Sequence, residues 1–362
     1  MAVMIRETFR IFGQHWARWL GVIVLALLPM LLLWFIMFQS ISPMMTQLAA
    51  SSTPYETIPP EQVEALLRSM GLAFVVICGL SLLIGIYETL IVLGLGTALA
   101  SSDLRGENLS FDDALTIALT KRAMPLLGGL FVVGFAIFAL YMVAGLLTMV
   151  CIGVVLLPLV LYVTLVWLPL LAPTMVLERG SFTRLLARAW FFGKKRIWLT
   201  LGVWTILGLM GFLVALISMV GMMPLLGNPE FMLDAAYGLP PTELIYSPLN
   251  IITSTVSMVL QLVFGVFMVI FFTVVYHDVR AQYDPPGSEA AIAAGDSPPP
   301  PESAFTGQDL VNVLVVTVVA GMVVCVMMVI MFALMSVLMV PIMGSIDPEV
   351  WENLALTMEA AQ

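Results

Sequence analysis

Charged residues are scarce in this sequence. Only 10% of the 362 residues are Asp, Glu, Lys or Arg, while 61% are hydrophobic. Soluble globular domains carry about 25% charged residues, so a chain of this composition cannot cover a surface that faces water. The scarcity excludes a soluble enzyme and a soluble binding module.

Cysteine and histidine are also few, with three and two copies. Cys78, Cys151 and Cys325 lie in apolar runs, and His15 and His277 are far apart in the sequence. Zinc sites take three or four grouped side-chain ligands. The sequence therefore predicts no metal site, and it shows no other cofactor motif.

Long apolar runs are what the chain has in abundance. A helix needs roughly 20 apolar residues to cross about 30 Å of hydrocarbon. The longest run has 55 residues and predicts two spans with a turn between Gly145 and Gly153, which gives seven spans in total. Continuous apolar sequence favours helices over barrel strands. The runs are Leu20–Phe38, Gly71–Ala100, Ala123–Leu177, Ile197–Met223, Ile251–Tyr276 and Val311–Met343.

The first apolar run is predicted to be a retained span and not a cleaved signal peptide. A long amphipathic segment precedes Leu20, and the run ends at Gln39–Pro43 without the small-x-small pattern of a cleavage site.

The basic residues predict the orientation. With the N-terminus in the cytoplasm, 13 of the 14 Lys and Arg residues lie inside and only Arg68 lies outside. Cytoplasmic loops of membrane proteins carry such an excess. Seven spans then place the C-terminus outside.

Three amphipathic stretches precede odd-numbered spans. In the first, the apolar side chains form one helical stripe, and in the second Asp113 follows Ser110 at capping-box spacing. The stretches are Ile5–Trp19, Ser110–Arg122 and Ser181–Arg196.

The first and third stretches share a local sequence. Phe12-Gly13 precedes the first span as Phe192-Gly193 precedes the fifth. The sequence thus predicts an all-α integral membrane fold with a six-span body. That body consists of three repeats, each made of an interfacial helix, an elbow and a transmembrane hairpin. The alternative is that the stretches are extended ends of the spans.

Basic residues in these stretches are candidates for contacts with acidic lipid headgroups. Interfacial helices bury an apolar face at the headgroup level and keep basic residues near the phosphates. Topology explains this basic character, so nucleic-acid binding is not predicted. The candidates are Arg10, Arg18, Lys121, Arg122, Arg184, Arg188, Lys194, Lys195 and Arg196.

The composition changes after the predicted six-span body, residues 1–280. Residues 281–309 are rich in proline and predict a disordered or polyproline-like cytoplasmic linker. The linker tethers an additional span, residues 310–343, and an acidic extracytoplasmic tail, residues 344–362. We expect a protein partner or self-association through this last span.

Three segments carry a family resemblance. The first segment runs from Pro169–Pro173 and Val176–Arg179 into a basic helix, Arg184–Trp198, that turns into a span. The second is Tyr276–Arg280, which has a Tyr-x-Asp-x-Arg pattern. The third is Arg6–Pro29, which joins an amphipathic helix to an apolar run. Over residues 1–280 they resemble the membrane domain of glycerophosphoryl diester phosphodiesterases and related bacterial inner-membrane proteins.

The resemblance implies a bacterial inner-membrane location but no activity. In that family the chemistry belongs to a separate barrel domain, and such a barrel takes about 250 residues. Only 82 residues follow Arg280. The resemblance therefore implies a membrane scaffold without the catalytic domain.

Glu88 is the only acidic residue inside the predicted spans. A carboxylate there costs a few kcal/mol and usually faces a bundle interior or a wet cavity. Glu88 is therefore a candidate proton relay, cation relay or substrate contact. The alternative is a structural carboxyl group, bonded to a neighbouring helix or hydrated near the interface.

Asp278 and Arg280 are candidates for structural ion pairs. Residues two apart do not face each other on a helix, so each is expected to pair elsewhere. For Asp278 the expected partner is a basic residue of another repeat, such as Arg188 or Lys194.

The leading functional hypothesis is a non-enzymatic scaffold or accessory subunit that contacts lipid in an envelope process. The sequence has no nucleophile elbow, phosphate loop or HExxH motif, so no catalytic residue is predicted. The alternative is a transporter or lipid-moving protein that uses Glu88 and helix breaks at Pro158, Pro169 and Pro173.

The orientation can be tested by labelling single cysteines from outside intact cells, in a variant that lacks the native cysteines. We expect cysteines at Thr53 and Thr242 to react and cysteines at Ser181 and Ser297 to stay unlabelled. External labelling of Ser181 and Ser297 would contradict the orientation.

Overall fold

The computed structural model describes residues 2–51, 60–148, 153–226, 248–285, 288 and 306–345. Across these residues the chain is helical and contains no β-strand. The helices are α1 (Ala2–Gln14), α2 (Trp16–Ser51), α3 (Pro60–Thr89), α4 (Gly96–Arg105), α5 (Phe111–Thr116), α6 (Ala123–Thr148), α7 (Gly153–Leu177), α8 (Phe182–Lys195), α9 (Ile197–Leu226), α10 (Pro248–Tyr283) and α11 (Gly307–Ser345), with π-helical segments at Leu90–Leu95 and Ile117–Lys121.

Six helical segments are long and apolar enough to cross a membrane, which makes this a multi-pass membrane protein. The sequence predicted seven. The seventh predicted span falls on α9, in which Ile197–Phe212 counts as an apolar helix shorter than a span, so this span stays a prediction. The six segments are Trp16–Leu33, Val75–Arg105, Ala123–Leu147, Leu156–Leu177, Thr255–Tyr283 and Gly307–Ile330.

The helix breaks of the transporter hypothesis are not present in α7. Pro158, Pro169 and Pro173 all lie inside one continuous helix. Neighbouring helices and local adjustment can satisfy the backbone groups that proline frees in a membrane. The prolines therefore do not mark a broken helix.

Each short amphipathic helix ends in a one-residue break before a long helix. His15 separates α1 from α2, Arg122 separates the second π-helical segment from α6, and Arg196 separates α8 from α9. We call these residues elbows 1, 2 and 3. Arg122 and Arg196 share a backbone conformation, with φ/ψ of −120°/−4° and −125°/19°. The breaks at Arg122 and Arg196 lie at the ends of the predicted stretches, whereas the break at His15 falls inside the predicted stretch Ile5–Trp19. The repeat relation between the three segments stays a prediction.

The chain divides into two compact units. The first comprises Met1–Leu31, Ser81–Ile206 and Val259–Gly321, and the second comprises Leu32–Leu80, Leu207–Met258 and Met322–Gln362. Every buried core residue of the described chain belongs to the first unit. In the second unit, described apolar side chains such as Val75 and Ile252 are exposed on their helices.

The core of the first unit brings the ends of several helices together. Trp19 on α2 is fully buried with Leu99 on α4 and Leu126 on α6. The two π-helical segments lie close together, because a Cβ atom at Gly94 would lie 3.1 Å from the Cβ of Ala118. The small residues Gly94 and Ala118 allow the two helical segments to approach each other closely.

The apolar stripe predicted on α1 faces two ways. Ile11 and Thr8 are buried, whereas Phe9 is 61% exposed and Trp16, at the start of α2, is 62% exposed. The ring of Phe9 also lies 4.7 Å from that of Phe267 on α10. Helix α1 thus packs on the bundle with one edge and presents aromatic rings with the other.

The last helix, α11, is attached by more than its linker. Val316 is buried in a cluster with Tyr162 and Val166 of α7 and Leu201 of α9. The first turns of α11 therefore pack on the first unit. Most of the linker, residues 286–287 and 289–305, and the tail beyond Ser345 lie outside the described residues, so the predicted domain boundaries stay predictions there.

Helices α7 and α8 approach each other closely at Gly193. A Cβ atom at Gly193 would collide with the backbone carbonyl of Val166, and a backbone cannot move aside as a flexible side chain can. Gly13, the matching position before elbow 1, has nothing within 4 Å of its Cβ position. Glycine is thus required sterically at elbow 3 and not at elbow 1.

We predict opposite effects for the two alanine substitutions. Gly193→Ala should destabilise the protein by about 1–3 kcal/mol through overpacking. Gly13→Ala should leave stability unchanged or raise it by up to about 1 kcal/mol, since alanine favours helix. Thermal unfolding of the two variants in one detergent measures this, and equal midpoints would contradict the α7–α8 contact.

Candidate functional site

A buried ion pair joins the middle of α8 to the end of α7 and to the last turns of α10. Glu178, directly after α7, has a fully buried side chain, and Arg188 on α8 is 2% exposed. Arg188 Nε and Nη2 donate to Glu178 Oε2 and Oε1 at 2.6 and 2.9 Å. The Tyr276 hydroxyl on α10 donates to Glu178 Oε1 at 2.9 Å. This bidentate geometry is the strong form of an Arg–carboxylate contact.

A second carboxylate completes the surroundings of Arg188. Arg188 Nη2 donates to Asp284 Oδ2 at 2.8 Å, and Arg280 Nε donates to the same oxygen at 3.3 Å. The ring of Phe192 lies 4.7 Å from the guanidinium carbon of Arg188. Burial lowers the pKa of Arg188, but the hydrogen bonds and charges of Glu178 and Asp284 outweigh it and raise that pKa. The guanidinium group of Arg188 therefore stays charged although it is shielded from water.

At elbow 1 an acid from α4 holds the start of α2. Asp103 is 3% exposed and accepts from Arg18 Nη1 at 3.3 Å, while His15 Nε2 lies 3.7 Å from the same oxygen. Ser101 Oγ and His277 Nε2 are 3.0 Å apart and connect α4 with α10. The first elbow is thus fixed to the returning end of its own hairpin.

Elbow 3 is held in the same way. Arg196 Nη2 donates to the carboxylate of Asp278 on α10, and Gln282 Nε2 donates to that carboxylate at 3.1 Å. The sequence predicted a basic residue of another repeat as the partner of Asp278, with Arg188 and Lys194 as examples. Both examples are wrong, because the partner is Arg196, while Arg188 binds Glu178 and Lys194 binds Asp309. Arg280, the other predicted ion-pair residue, contacts Asp284 directly after the end of its own helix.

The start of α11 carries a fourth acid cluster. Asp309 accepts from the Tyr162 hydroxyl at 2.6 Å and lies 2.7 Å from Lys194 Nζ. Its second oxygen also accepts from the backbone N–H of Thr306 at 2.6 Å, which caps the helix. Lys194 of α8 thereby connects the last helix to the first unit. We refer to these four groups of ion pairs as the elbow clusters.

The structure sorts the predicted lipid-contacting residues by exposure. Arg188 does not fit that role, because its guanidinium is buried and paired. Arg18, Lys194 and Arg196 point into the elbow clusters instead of outward. Of the remaining candidates, Arg10, Lys121 and Lys195 are exposed, whereas Arg122 and Arg184 are half-buried.

Glu88 lies near the C-terminal end of α3, two residues before the first π-helical segment. Its side chain is half-buried. Within the described chain it makes no hydrogen bond or ion pair, and the elbow clusters do not include it. The structure thus places the predicted intramembrane acid apart from the other charged groups.

The acids of the elbow clusters are what sequence reasoning missed. Each returning helix ends on an acid that an arginine follows within two residues: Asp103-x-Arg105, Glu178-Arg179 and Asp278-x-Arg280. The sequence analysis named only the third pair as candidates for structural ion pairs. The recurrence of an acid and a nearby arginine at the ends of the hairpins was the signal that could have identified the other two. Among described residues, no group of three or more His, Cys, Asp or Glu side chains could hold a metal ion. The clusters combine acids with cations, which suits them to fixing helix ends.

We expect Arg188→Leu to destabilise the protein by about 3–5 kcal/mol, because it leaves the carboxylate of Glu178 buried without its cation and removes one of the two arginines that bind Asp284. Lys195→Leu on the same helix is the control. Lys195 is exposed, and its Nζ lies 5.4 Å from the rings of Phe191 and Tyr283 without an ion pair to any described residue, so its loss should cost less than about 1 kcal/mol. Denaturation midpoints in one detergent compare them, and similar midpoints would contradict a structural role for the ion pair.

Comparison with known proteins does not assign a family to this chain. No protein-family model, no curated protein and no solved structure matches the chain.

Proposed function

We propose that this membrane protein is a non-enzymatic scaffold that holds amphipathic helices against the cytoplasmic leaflet of a bacterial inner membrane. The observation that carries the proposal is the division of the cations into two sets. One set is bound inside the elbow clusters, where it fixes α2, α8 and α9. The other set is exposed on the short helices and is free to meet acidic lipid.

The exposed set has the chemistry of an interfacial surface. Arg6, Lys121 and Lys195 are exposed on α1, the second π-helical segment and α8. Phe9 and Trp16 present aromatic rings beside them. Aromatic and basic side chains of this kind favour the headgroup region of a bilayer. The resemblance to the membrane domain of glycerophosphoryl diester phosphodiesterases agrees with a scaffold, and it remains a proposal.

A partner surface is proposed on α11. Leu310, Leu314, Val318 and Met322 recur every four residues and are 51–67% exposed. A continuous apolar stripe on one helix face can pack against another membrane helix or against lipid. We assign this face to a protein partner or a second copy of the chain in an envelope process.

Transport is the second candidate function, and Glu88 is the observation that favours it. Its carboxyl group has no partner among the described residues, and a π-helical segment follows directly. Such segments are frequent at functional sites. A transporter that relays protons would need the titratable group of this side chain.

Two variants of the full chain separate the proposals. We expect Arg6→Gln/Lys121→Gln/Lys195→Gln to retain less acidic phospholipid on purification, since each charge near an anionic surface is worth about 1 kcal/mol. The difference should shrink at high salt. Lys194 and Arg196 are unsuitable targets because their loss would break elbow clusters.

Glu88→Gln is the matched test of transport. A scaffold should keep wild-type lipid retention and stability in this variant, and reconstituted vesicles should show no proton flux that depends on Glu88. Unchanged lipid retention in the triple variant would contradict the scaffold proposal. Proton flux that Glu88→Gln abolishes would establish transport instead.

A further inference from the structure

The chain between α10 and α11 is held at both ends by the same helix, α8. Asp284, directly after α10, binds Arg188 at 2.8 Å, and Asp309, in the first turn of α11, binds Lys194 at 2.7 Å. The two cations are six residues apart on α8, which is about 9 Å along its axis. Since a helix with its side chains is about 10–12 Å wide, the two carboxylates lie roughly 15 Å apart.

The chain between these two carboxylates is much longer than that distance requires. Twenty-four residues, 285–308, separate Asp284 from Asp309, and an extended chain of that length reaches about 80 Å. About five residues would cover the roughly 15 Å between the carboxylates. The excess length allows α11 to reach a docking face on another molecule.

The docking face for α11 consists of residues from α7, α8 and α9. The Tyr162 hydroxyl donates to Asp309 Oδ1 at 2.6 Å, and Lys194 Nζ lies 2.7 Å from Asp309 Oδ2. Val316 of α11 is fully buried in the apolar cluster of this face. We call the residues that α11 meets the receiving face: Tyr162, Leu165, Val166, Lys194, Ile197 and Leu201. Each copy of the chain carries a complete receiving face.

Docking on the own copy and docking on a second copy make the same contacts, so the linker decides between them. Exchange of an identical element between copies is a low-cost route to a dimer. The advantage of the own copy is its effective concentration, which falls roughly as the −3/2 power of linker length. Reciprocal exchange docks two helices, and after the first has docked the second docks within the same dimer. Copies with one orientation also present the receiving face at the same depth in the membrane.

We propose that α11 of one copy docks on the receiving face of a second copy and that the α11 of the second copy docks on the first. The exchanged last helices then join the two copies, with Asp309 and Lys194 as the ion pair between them. This inference rests on the partner surface proposed for α11 and names a second copy of this chain as the partner. It does not depend on lipid contact at the exposed basic residues.

The first test is chemical cross-linking between two differently tagged full-length copies in one membrane, both without the native cysteines. One copy carries Lys195→Cys and the other Gln308→Cys. Both positions are exposed, and each is next to a residue of the Lys194–Asp309 pair, which stays intact. We expect a flexible bismaleimide to give a product with both tags. A reagent that links the two cysteines only when one copy carries both would overturn the exchange.

A charge reversal distinguishes exchange from chance collision of copies. Lys194→Asp is added to the Lys195→Cys copy and Asp309→Lys to the Gln308→Cys copy, so that each copy repels its own α11. We expect this matched pair to give at least the unreversed yield of the product with both tags. The mismatched pair, with Lys194→Asp in both copies, should give about tenfold less, since it lacks the charge-assisted contact. Equal yields in the two pairs would overturn the exchange.

A milder variant keeps the test independent of how well the reversed copies fold. Lys194→Gln in both copies removes the ion pair without creating a repulsion, and it should also lower the yield of the product with both tags about tenfold. An unchanged yield would mean that collision forms the product and would overturn the exchange. If the exchange fails but the Arg6/Lys121/Lys195 variant still loses acidic lipid, the scaffold function stands without it.

Discussion

A charged group that is buried away from water needs an oppositely charged partner, and this constraint is strictest at Arg188. Its guanidinium is buried, and it is held by Glu178 at the end of α7 and by Asp284 after α10. Breaking such a pair leaves an uncompensated charge in a medium of low dielectric constant. The position of α8 against its neighbours depends on this contact, and the collision of any Cβ at Gly193 with Val166 shows how closely α8 lies on α7.

The other elbow clusters extend the same principle to the remaining helix ends. Asp103 fixes the start of α2, Asp278 fixes the start of α9, and Asp309 attaches α11 to Lys194 and Tyr162. Internal pairing takes up these cations and decides which basic residues remain for lipid. The proposed function follows from this division, with a general attraction of acidic lipid to the exposed basic residues.

Much of the helical architecture could be predicted from the sequence, because long apolar runs leave few alternatives in a membrane. The membrane-spanning class follows from composition, and the breaks at Arg122 and Arg196 follow from the change of amphipathic to apolar pattern. The break at His15 does not, because the amphipathic stripe continues through it to Trp19. The inward direction of Arg188 does not follow from its own helix. It depends on Glu178 and Asp284, which are 10 and 96 residues away.

The same limit explains the errors in the candidate site. Positive charge near a span predicted lipid contact equally for Arg188, Lys194 and Lys195, and only the packing of α7, α10 and α11 distinguishes them. The partner of Asp278 was misassigned because helix spacing says which residues do not face each other, but not which distant residue fills the gap. The transporter hypothesis treated the three prolines of α7 as helix breaks, although they lie inside one continuous helix.

The most direct test of this account is a double-mutant cycle between Glu178 and Arg188. Glu178→Gln, Arg188→Gln and the double variant are compared with wild type by their free energies of unfolding in one detergent. The account predicts a coupling energy of about 2 kcal/mol or more, at the upper end of the range for contacting residues. Additive effects, with a coupling energy near zero, would contradict the claim that this ion pair holds the helix ends together.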